Sequence, residues 1–321
     1  MSGEGPVRGD LTCGIDIGGT KIAGAVVAGD GTILDEARVV SPATDPEAIE
    51  STVADLVRTL AARHPVTAVG VGAAGYVDAR RATVLFAPNI AWRDEPLGPE
   101  LTRLTGLPVT IENDANAAAW GEFRYGAGKD VDDQLMVTVG TGVGGGVIAG
   151  GRLLRGGFGV AGEIGHLCLV PDGRQCGCGN LGCFEQYGSG SALERETRAA
   201  ASGSSLLARD LLDRAGGDPQ RITGPLITAA AQDGDRFAIE QLASLGHWLG
   251  HGIASLVAVL DPAVIVIGGG VSEAGDLLLD PIREAFGREL TGRGYRPQAE
   301  IRAAELGNEA GVIGAADLAR S

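Results

Sequence analysis

The sequence predicts an α/β fold, and three observations carry that prediction. Short apolar segments of strand length alternate with amphipathic segments of helical period. Glycine makes up 53 of the 321 residues and clusters at the ends of the strand-like segments. One pattern, strand, tight turn with Gly and Thr, strand, occurs around Thr20 and again around Thr141, as an internal duplication would produce.

Residues 1–10 are polar and Gly-rich and read as a disordered tail. Residues 11–17 read as a buried strand. Two more follow at 21–28 and 32–40, joined by a hairpin turn at Gly29-Asp30-Gly31. Residues 46–63 form an amphipathic helix: Ile49, Val53, Leu56, Val57 and Leu60 share one face, and Pro46 fits its first turn. A strand at 66–71, a short helix at 99–105 and a short strand at 108–112 complete the order βββαβαβ. A helix over 114–125 opens on Asp114, and strands at 134–139 and 142–148 flank Gly140-Thr141-Gly142. Helices fill 191–260, broken near Gly203 and Gly216-Gly217. A strand at 264–267 ends in Gly268-Gly269-Gly270, and a helix (272–290), a strand (299–303) and a helix (309–320) follow.

The length suits about two domains with a large core. The formal charge of −15 argues against nucleic acid and anionic membranes as partners. It does not argue against phosphate, which local donors bind inside an acidic protein. No apolar run reaches membrane-spanning length and no signal-peptide core is present, so a cytoplasmic location with reduced thiols is expected.

The chemistry concentrates between residues 162 and 185. His166, Cys176, Cys178 and Cys183 fall within eighteen residues, a ligand set for tetrahedral Zn2+. Four protein ligands leave no open position, so such a zinc would be structural, fixing Glu163, His166 and Glu185. The alternative is a disulfide or free buried thiols, although Cys176 and Cys178 are too close to bridge without strain. Cys13 and Cys168 read as buried strand cysteines, with Cys168 a minor rival ligand.

Asp16-Ile-Gly18-Gly19-Thr20-Lys21 sits at the tip of the first hairpin, where free N–H groups and a hydroxyl suit phosphate oxygens and Asp16 suits Mg2+. The alternative is an ordinary glycine hairpin. Its second copy at Thr141 and Gly142 favours a polyphosphate clamp. Two G-x-G-x-x-G matches, from Gly70 and from Gly140, precede strands rather than helices and so are not dinucleotide fingerprints. Glu112-Asn113-Asp114-Ala-Asn116 follows a strand and opens a helix. Asp114 there is a general base or merely a helix cap. His247 and His251 are spaced like a zincin pair but lack its glutamate, and read as ordinary helix residues.

Taken together, these motifs, with Gly162-Glu-Ile-Gly-His166, Cys176-x-Cys178-Gly-x-x-Gly-Cys183-x-Glu185 and Gly268-Gly-Gly270, resemble the ROK family of repressors and sugar kinases, from about residue 12 to 318. The run from Cys183 to Gly190 is most similar to the glucokinases of actinobacteria. The resemblance implies a two-domain actin-like, ribonuclease-H-like ATPase fold with a zinc loop inserted in the second domain. It implies a first domain over 1–112, with a terminal helix at 305–321 packing back on it, and a second over 113–304. It implies sugar contacts from Asn89, Asn113, Asp114, Glu163, His166 and Glu185, and nucleotide or phosphate contacts from Gly19, Thr20, Lys21, Thr141, Gly142, Gly268 and Gly269. The expected activity is ATP-dependent hexose phosphorylation, that of a glucokinase, with ATP, Mg2+ and structural zinc and with Asp114 as base. The expected state is a homo-oligomer, dimer or tetramer. The rivals are an N-acylmannosamine kinase, a fructokinase, a polyphosphate-using glucokinase and a sugar-sensing regulator. A DNA-binding ROK repressor carries a helix-turn-helix ahead of its first phosphate motif, and Asp16 stands too early in this sequence for one.

Overall fold

A computed structural model of the chain describes residues 11–87, 90–203 and 206–320. The tail expected over 1–10 and the sugar contact expected of Asn89 lie outside the described residues. The chain opens with β1 (Thr12–Ile17), β2 (Lys21–Val27), β3 (Ile33–Val40), α1 (Pro46–Ala61) and β4 (Ala68–Ala73). Three short strands follow, β5 (Tyr76–Val77), β6 (Val84–Phe86) and β7 (Arg93–Glu95), then α2 (Leu97–Thr105), β8 (Val109–Asn113) and α3 (Asp114–Tyr125). Next come β9 (Gln134–Val139), β10 (Val143–Ala149) and β11 (Arg152–Leu153). A 3₁₀ turn at Ile164–His166 leads into the cysteine loop. Helices α4 (Glu185–Gly188), α5 (Gly190–Ser202), α6 (Arg209–Arg214), α7 (Gly224–Gln232) and α8 (Arg236–Leu260) precede β12 (Val264–Gly268). Finally α9 (Asp276–Glu289), β13 (Glu300–Ala303) and α10 (Ala310–Leu318) complete the described elements.

One sheet has the strand order β3-β2-β1-β4-β8 and another β11-β10-β9-β12-β13. In the first, β1 lies parallel to β4 and β4 to β8; in the second, β9 lies parallel to β12 and β12 to β13. Strand for strand the two orders match, so the duplication read from Thr20 and Thr141 reappears as topology. A third, small sheet of β5, β6 and β7 is a feature the sequence reading misses beyond the strand in 76–86. Its last strand is Arg-Asp-Glu, with no apolar alternation to signal it.

By internal contacts the chain divides into two units. The first takes in the chain up to Asp132, Gly146–Gly162 and the chain from Glu305 onward; the second takes in Asp133–Gly145 and Glu163–Ala304. The sequence reading sets a boundary after residue 112, whereas the first unit runs on through α3, because α3 packs against α10.

In the first unit, α1 starts where Asp45 accepts a hydrogen bond from Ala48 N (3.1 Å) and Pro46 supplies a preset φ. Its face of Ile49, Val53, Leu56, Val57 and Leu60 is buried, as the period requires. Helix α10 approaches β1, β4 and α3 so closely that only glycine fits at the crossings. A Cβ on Gly14 would lie 1.9 Å from Val312 O, and one on Gly70 would lie 1.8 Å from Ala315 O. The buried carboxylate of Glu122 accepts from the N–H groups of Ala127 (2.8 Å), Glu305 (3.1 Å) and Leu306 (2.7 Å), fixing the end of α3 to the chain entering α10.

In the second unit, α8 corrects one expectation. At 25 residues and with a mean hydropathy of 1.3 in its most apolar window, it is long and apolar enough to cross a membrane by length and composition. Half of that window is buried. Leu242, Leu245, Leu249 and Ile253 are buried along it, and Gly250 lets α9 approach, since a Cβ there would meet Ile282 O at 2.7 Å. This is the pattern of a core helix: the apolar residues cluster on the side that packs, interrupted by His247, Glu240 and Gln241. The helix expected over 272–290 divides at Gly275 (φ 61°) into a 3₁₀ turn and α9.

Candidate active site and metal centre

Each unit gathers its own share of the expected residues. In the first, β1 delivers Asp16 to the mouth of the hairpin Gly18–Lys21. The turn closes through Gly18 N donating to Lys21 O (3.0 Å), and Gly19, Thr20 and Lys21 are exposed, their surface open to a ligand. Asp114 is the first residue of α3. The cap there is Asn113: its side-chain oxygen accepts from Asn116 N (3.0 Å) and its amide donates to Gly75 O (3.1 Å). The capping alternative for Asp114 therefore falls to its neighbour. Each amide atom of Asn113 keeps one further bonding position, since the oxygen has two lone pairs and the nitrogen two protons.

Both carboxyls sit above the ordinary carboxylate range. Burial pushes Asp114 up, against the lowering by the N–H groups of Ala115 and of Asp114 itself. Asp16 is raised to about 6, by burial first and by the charge of Asp114 second, with Lys21 working the other way. A raised carboxyl binds its proton more tightly in the folded than in the unfolded chain. Its ionisation therefore removes stability as pH rises from the ordinary value near 4 through about 6. Asp16→Asn should accordingly raise the melting temperature of the ligand-free protein at neutral pH by a few degrees while lowering activity. Thermal scans at neutral pH and below pH ~4 test this. The gain should vanish at the lower pH, and an equal gain at both would remove the electrostatic explanation.

In the second unit, the turn Gly140-Thr141-Gly142 mirrors the first hairpin, with Gly140 N donating to Gly142 O (3.1 Å). Gly268 is paired in register with Thr138, and a Cβ on Gly269 (φ 86°) would meet Val139 O at 2.5 Å, so this glycine pair lies against the end of β9 beside Thr141. A Cβ on Gly142 would lie 2.8 Å from Glu185 Oε2. The Glu185 carboxylate thus lies directly against the Gly142 turn.

Glu185 reaches the metal loop. Its Oε1 accepts from Cys176 Sγ (3.0 Å) and lies 3.9 Å from His166 Nδ1. The other ring nitrogen of His166, Nε2, lies 4.0 Å from Glu163 Oε2. His166, Cys176, Cys178 and Cys183 place one ligand atom each within 4.8 Å of one another. Cys176 Sγ is 3.7 Å from His166 Nδ1, and Cys178 Sγ is 3.6 Å from Cys183 Sγ. A zinc tetrahedron with Zn–S bonds of about 2.3 Å has edges of roughly 3.8 Å, so donor types and spacing fit that ion. Burial pushes the Cys176 and Cys183 thiols above their ordinary range, a bias that a bound cation would have to overcome. Gly182 (φ 74°) allows the loop to close, since a Cβ there would lie 1.7 Å from Val170 O. All five cysteines are free of disulfides. Cys13 is buried in β1 as expected, but Cys168 is exposed and outside any strand, and it is not among the four clustered ligands. It pairs only through an isolated bridge with Cys183, which holds its backbone and leaves its side chain outside. His247 and His251 stand apart from this centre on α8, and His251 pairs with Glu289 of α9.

Sequence reasoning misses one group beneath Asp114. The side chain of Glu112, 1% exposed, is flanked by Arg155 Nε at 2.8 Å and Arg81 Nε at 3.3 Å. These arginines come from distant positions with no spacing that links them to Glu112.

The family model described as "ROK family" matches residues 12–321. A glucokinase of Streptomyces coelicolor is 50% identical, covering 97% of this chain and 98% of that protein. A glucokinase of Halalkalibacterium halodurans is 40% identical, covering 94% and 92%. The crystal structure of a ROK family glucokinase from Streptomyces griseus in complex with glucose and AMPPNP is 52% identical, with a TM-score of 0.89, covering 97% of this chain and 99% of that one. The family model and these relatives cover almost the whole length, and the chain belongs to the ROK family.

Proposed function

We infer that this chain is an ATP-dependent glucokinase, transferring the γ-phosphoryl group of ATP to the 6-hydroxyl of glucose. The observation that carries the reading is Asp114: a partly buried carboxylate of raised basicity at the start of a helix, next to an open Gly-Thr hairpin, in a chain half identical to glucokinases. A base held above the ordinary carboxylate range is better matched to a hydroxyl proton near neutral pH. Asp114 accepts the proton of the 6-hydroxyl as that oxygen attacks the γ-phosphorus and the bond to the bridging β,γ-oxygen breaks. Gly18, Gly19, Thr20 and Lys21, with Thr141, Gly142, Gly268 and Gly269, hold the phosphates and nucleotide through N–H, hydroxyl and ammonium donors. Asp16 would hold Mg2+, which supplies charge neutralisation on the transferred group; the mutual repulsion of Asp16 and Asp114 suits a cation there.

Asn89, Asn113, Glu163, His166 and Glu185 hold the sugar hydroxyls, each able to accept or donate to vicinal oxygens. Zinc on His166, Cys176, Cys178 and Cys183 is structural in this reading. It would take the Nδ1 side of His166, fixing the tautomer so that Nε2, the nitrogen on the Glu163 side, carries the proton for a sugar hydroxyl. We place the enzyme in the cytoplasm as a homo-oligomer without nucleic-acid or membrane partners; the charge of −15 supports the last two points.

A coupled assay of ADP release across glucose, mannose, fructose and N-acetylmannosamine, with ATP or polyphosphate as donor, tests the assignment. Glucose with ATP should be preferred. Turnover of N-acetylmannosamine without turnover of glucose would overturn the substrate and leave the kinase.

Glu163→Gln and Glu185→Gln should raise KM for glucose by roughly 10–100-fold and KM for ATP far less, since each removes a charged acceptor worth about 1.5–3 kcal/mol. Initial rates with each substrate varied separately check this. Equal rises for both substrates would reduce the two glutamates to supports of the fold.

A further inference from the structure

We propose that Arg155 is a positioning residue for Asp114, acting through the buried carboxylate of Glu112; the proposal rests on the reading of Asp114 as the base. Glu112 is the penultimate residue of β8, two residues before Asp114, and its two oxygens serve different neighbours. Oε1 accepts from Asn113 N (3.0 Å) and from Asn116 Nδ2 (3.2 Å), so it grips the residue before Asp114 and the first turn of α3 together. Oε2 faces the arginines, with Arg155 Nε nearer at 2.8 Å. The hydrogen bonds of Arg155 come from its other two nitrogens: Nη1 donates to Ala79 O (3.1 Å) and Nη2 to Asp78 O (3.0 Å). The turn that receives them is itself fixed, because Asp78 Oδ1 accepts from Ala82 N (2.9 Å) and Thr83 N (3.1 Å). One guanidinium thus holds the carboxylate two residues before Asp114 as an ion pair, without a hydrogen bond between Nε and Oε2, while its two hydrogen bonds fix it to the turn.

Removing Arg155 leaves Glu112 opposite Arg81 alone, so its charge stays countered and the chain should fold. Glu112 would then turn toward Arg81 and carry the Asn113 peptide with it. A displacement near 1 Å at a reacting group costs on the order of 10²-fold in rate.

The experiment compares wild type, Arg155→Ala, Asp114→Asn and the double variant. Arg155→Ala should lose kcat by about 10–100-fold, with KM for ATP within about twofold of wild type. Added ethylguanidinium should restore part of that kcat, and Arg155→Lys, which keeps the charge without the three-way grip, should stay low. On the Asp114→Asn background, Arg155→Ala should cost little more, because the base it positions is gone. Near wild-type kcat in Arg155→Ala would overturn the proposal. So would a loss that ethylguanidinium leaves unchanged and that follows the melting temperature. An Asp114→Asn enzyme that remains active would instead remove the reading beneath the proposal, whatever Arg155→Ala does.

Discussion

Asp114→Asn should nearly abolish turnover while leaving glucose binding largely intact. The amide keeps the size and one acceptor oxygen of the carboxyl, so the sugar still finds its partner, but no group remains to take the 6-hydroxyl proton. Loss of a positioned base costs roughly 10²–10⁴-fold in rate. Calorimetry with glucose should give a Kd close to wild type, and kcat should fall by at least that range. The pH dependence carries a second signature. The base must be ionised, so wild-type kcat should decline as pH drops through the raised pKa of Asp114, and the residual rate of the variant should lack that acid limb. A variant that kept more than about a tenth of wild-type kcat would exclude Asp114 as the base.

Cys178→Ala should lose zinc, thermal stability and activity together, although no cysteine is assigned to the sugar. Cys178 is the informative choice because its residue is exposed, whereas Cys176 and Cys183 are buried. Alanine at 178 therefore forfeits little packing, and any large drop in melting temperature reports the metal. Structural zinc contributes on the order of 10 kcal/mol in small peptides. Without it, three of the four ligands remain but the tetrahedron cannot close, and the loop carrying Glu185 and the turn carrying Glu163 and His166 lose their common anchor. Metal analysis should find one zinc per chain in wild type and none in the variant. A metal-free variant that stayed stable and active would end the structural-zinc reading.

Much of this was legible in the sequence wherever the signal is local. His166 and the three cysteines clustered with it lie close along the chain, and the two Gly-Thr hairpins show in both the residue pattern and the sheet order. The buried face of α1 follows from its period alone. What stays hidden depends on distance or on ambiguity between neighbours. Asn113 and Asp114 are both good caps, and only the backbone shows that Asn113 stands outside the helix and Asp114 within it. The arginines around Glu112 are brought in by topology, and no periodicity announces them. The apolar length of α8 passes below notice in the sequence because His247, Gln241 and Glu240 interrupt it, and only packing shows it as a core helix.

The docking of α10 also sets the order in which a newly made chain can mature. Thr12 at the start of β1 donates its hydroxyl to Ala316 O (2.8 Å), 304 residues away, and the glycine crossings at Gly14 and Gly70 are filled by α10 alone. During synthesis at about 5–20 residues per second, the first-made sheet therefore waits many seconds with one face uncovered. The second unit, nearly contiguous from Glu163 to Ala304, emerges whole before α10 does. The usual sequence of N-terminal part first is reversed here: the segment translated first is the one completed last, and the long loop closure that finishes it makes it the slow, aggregation-exposed step of folding.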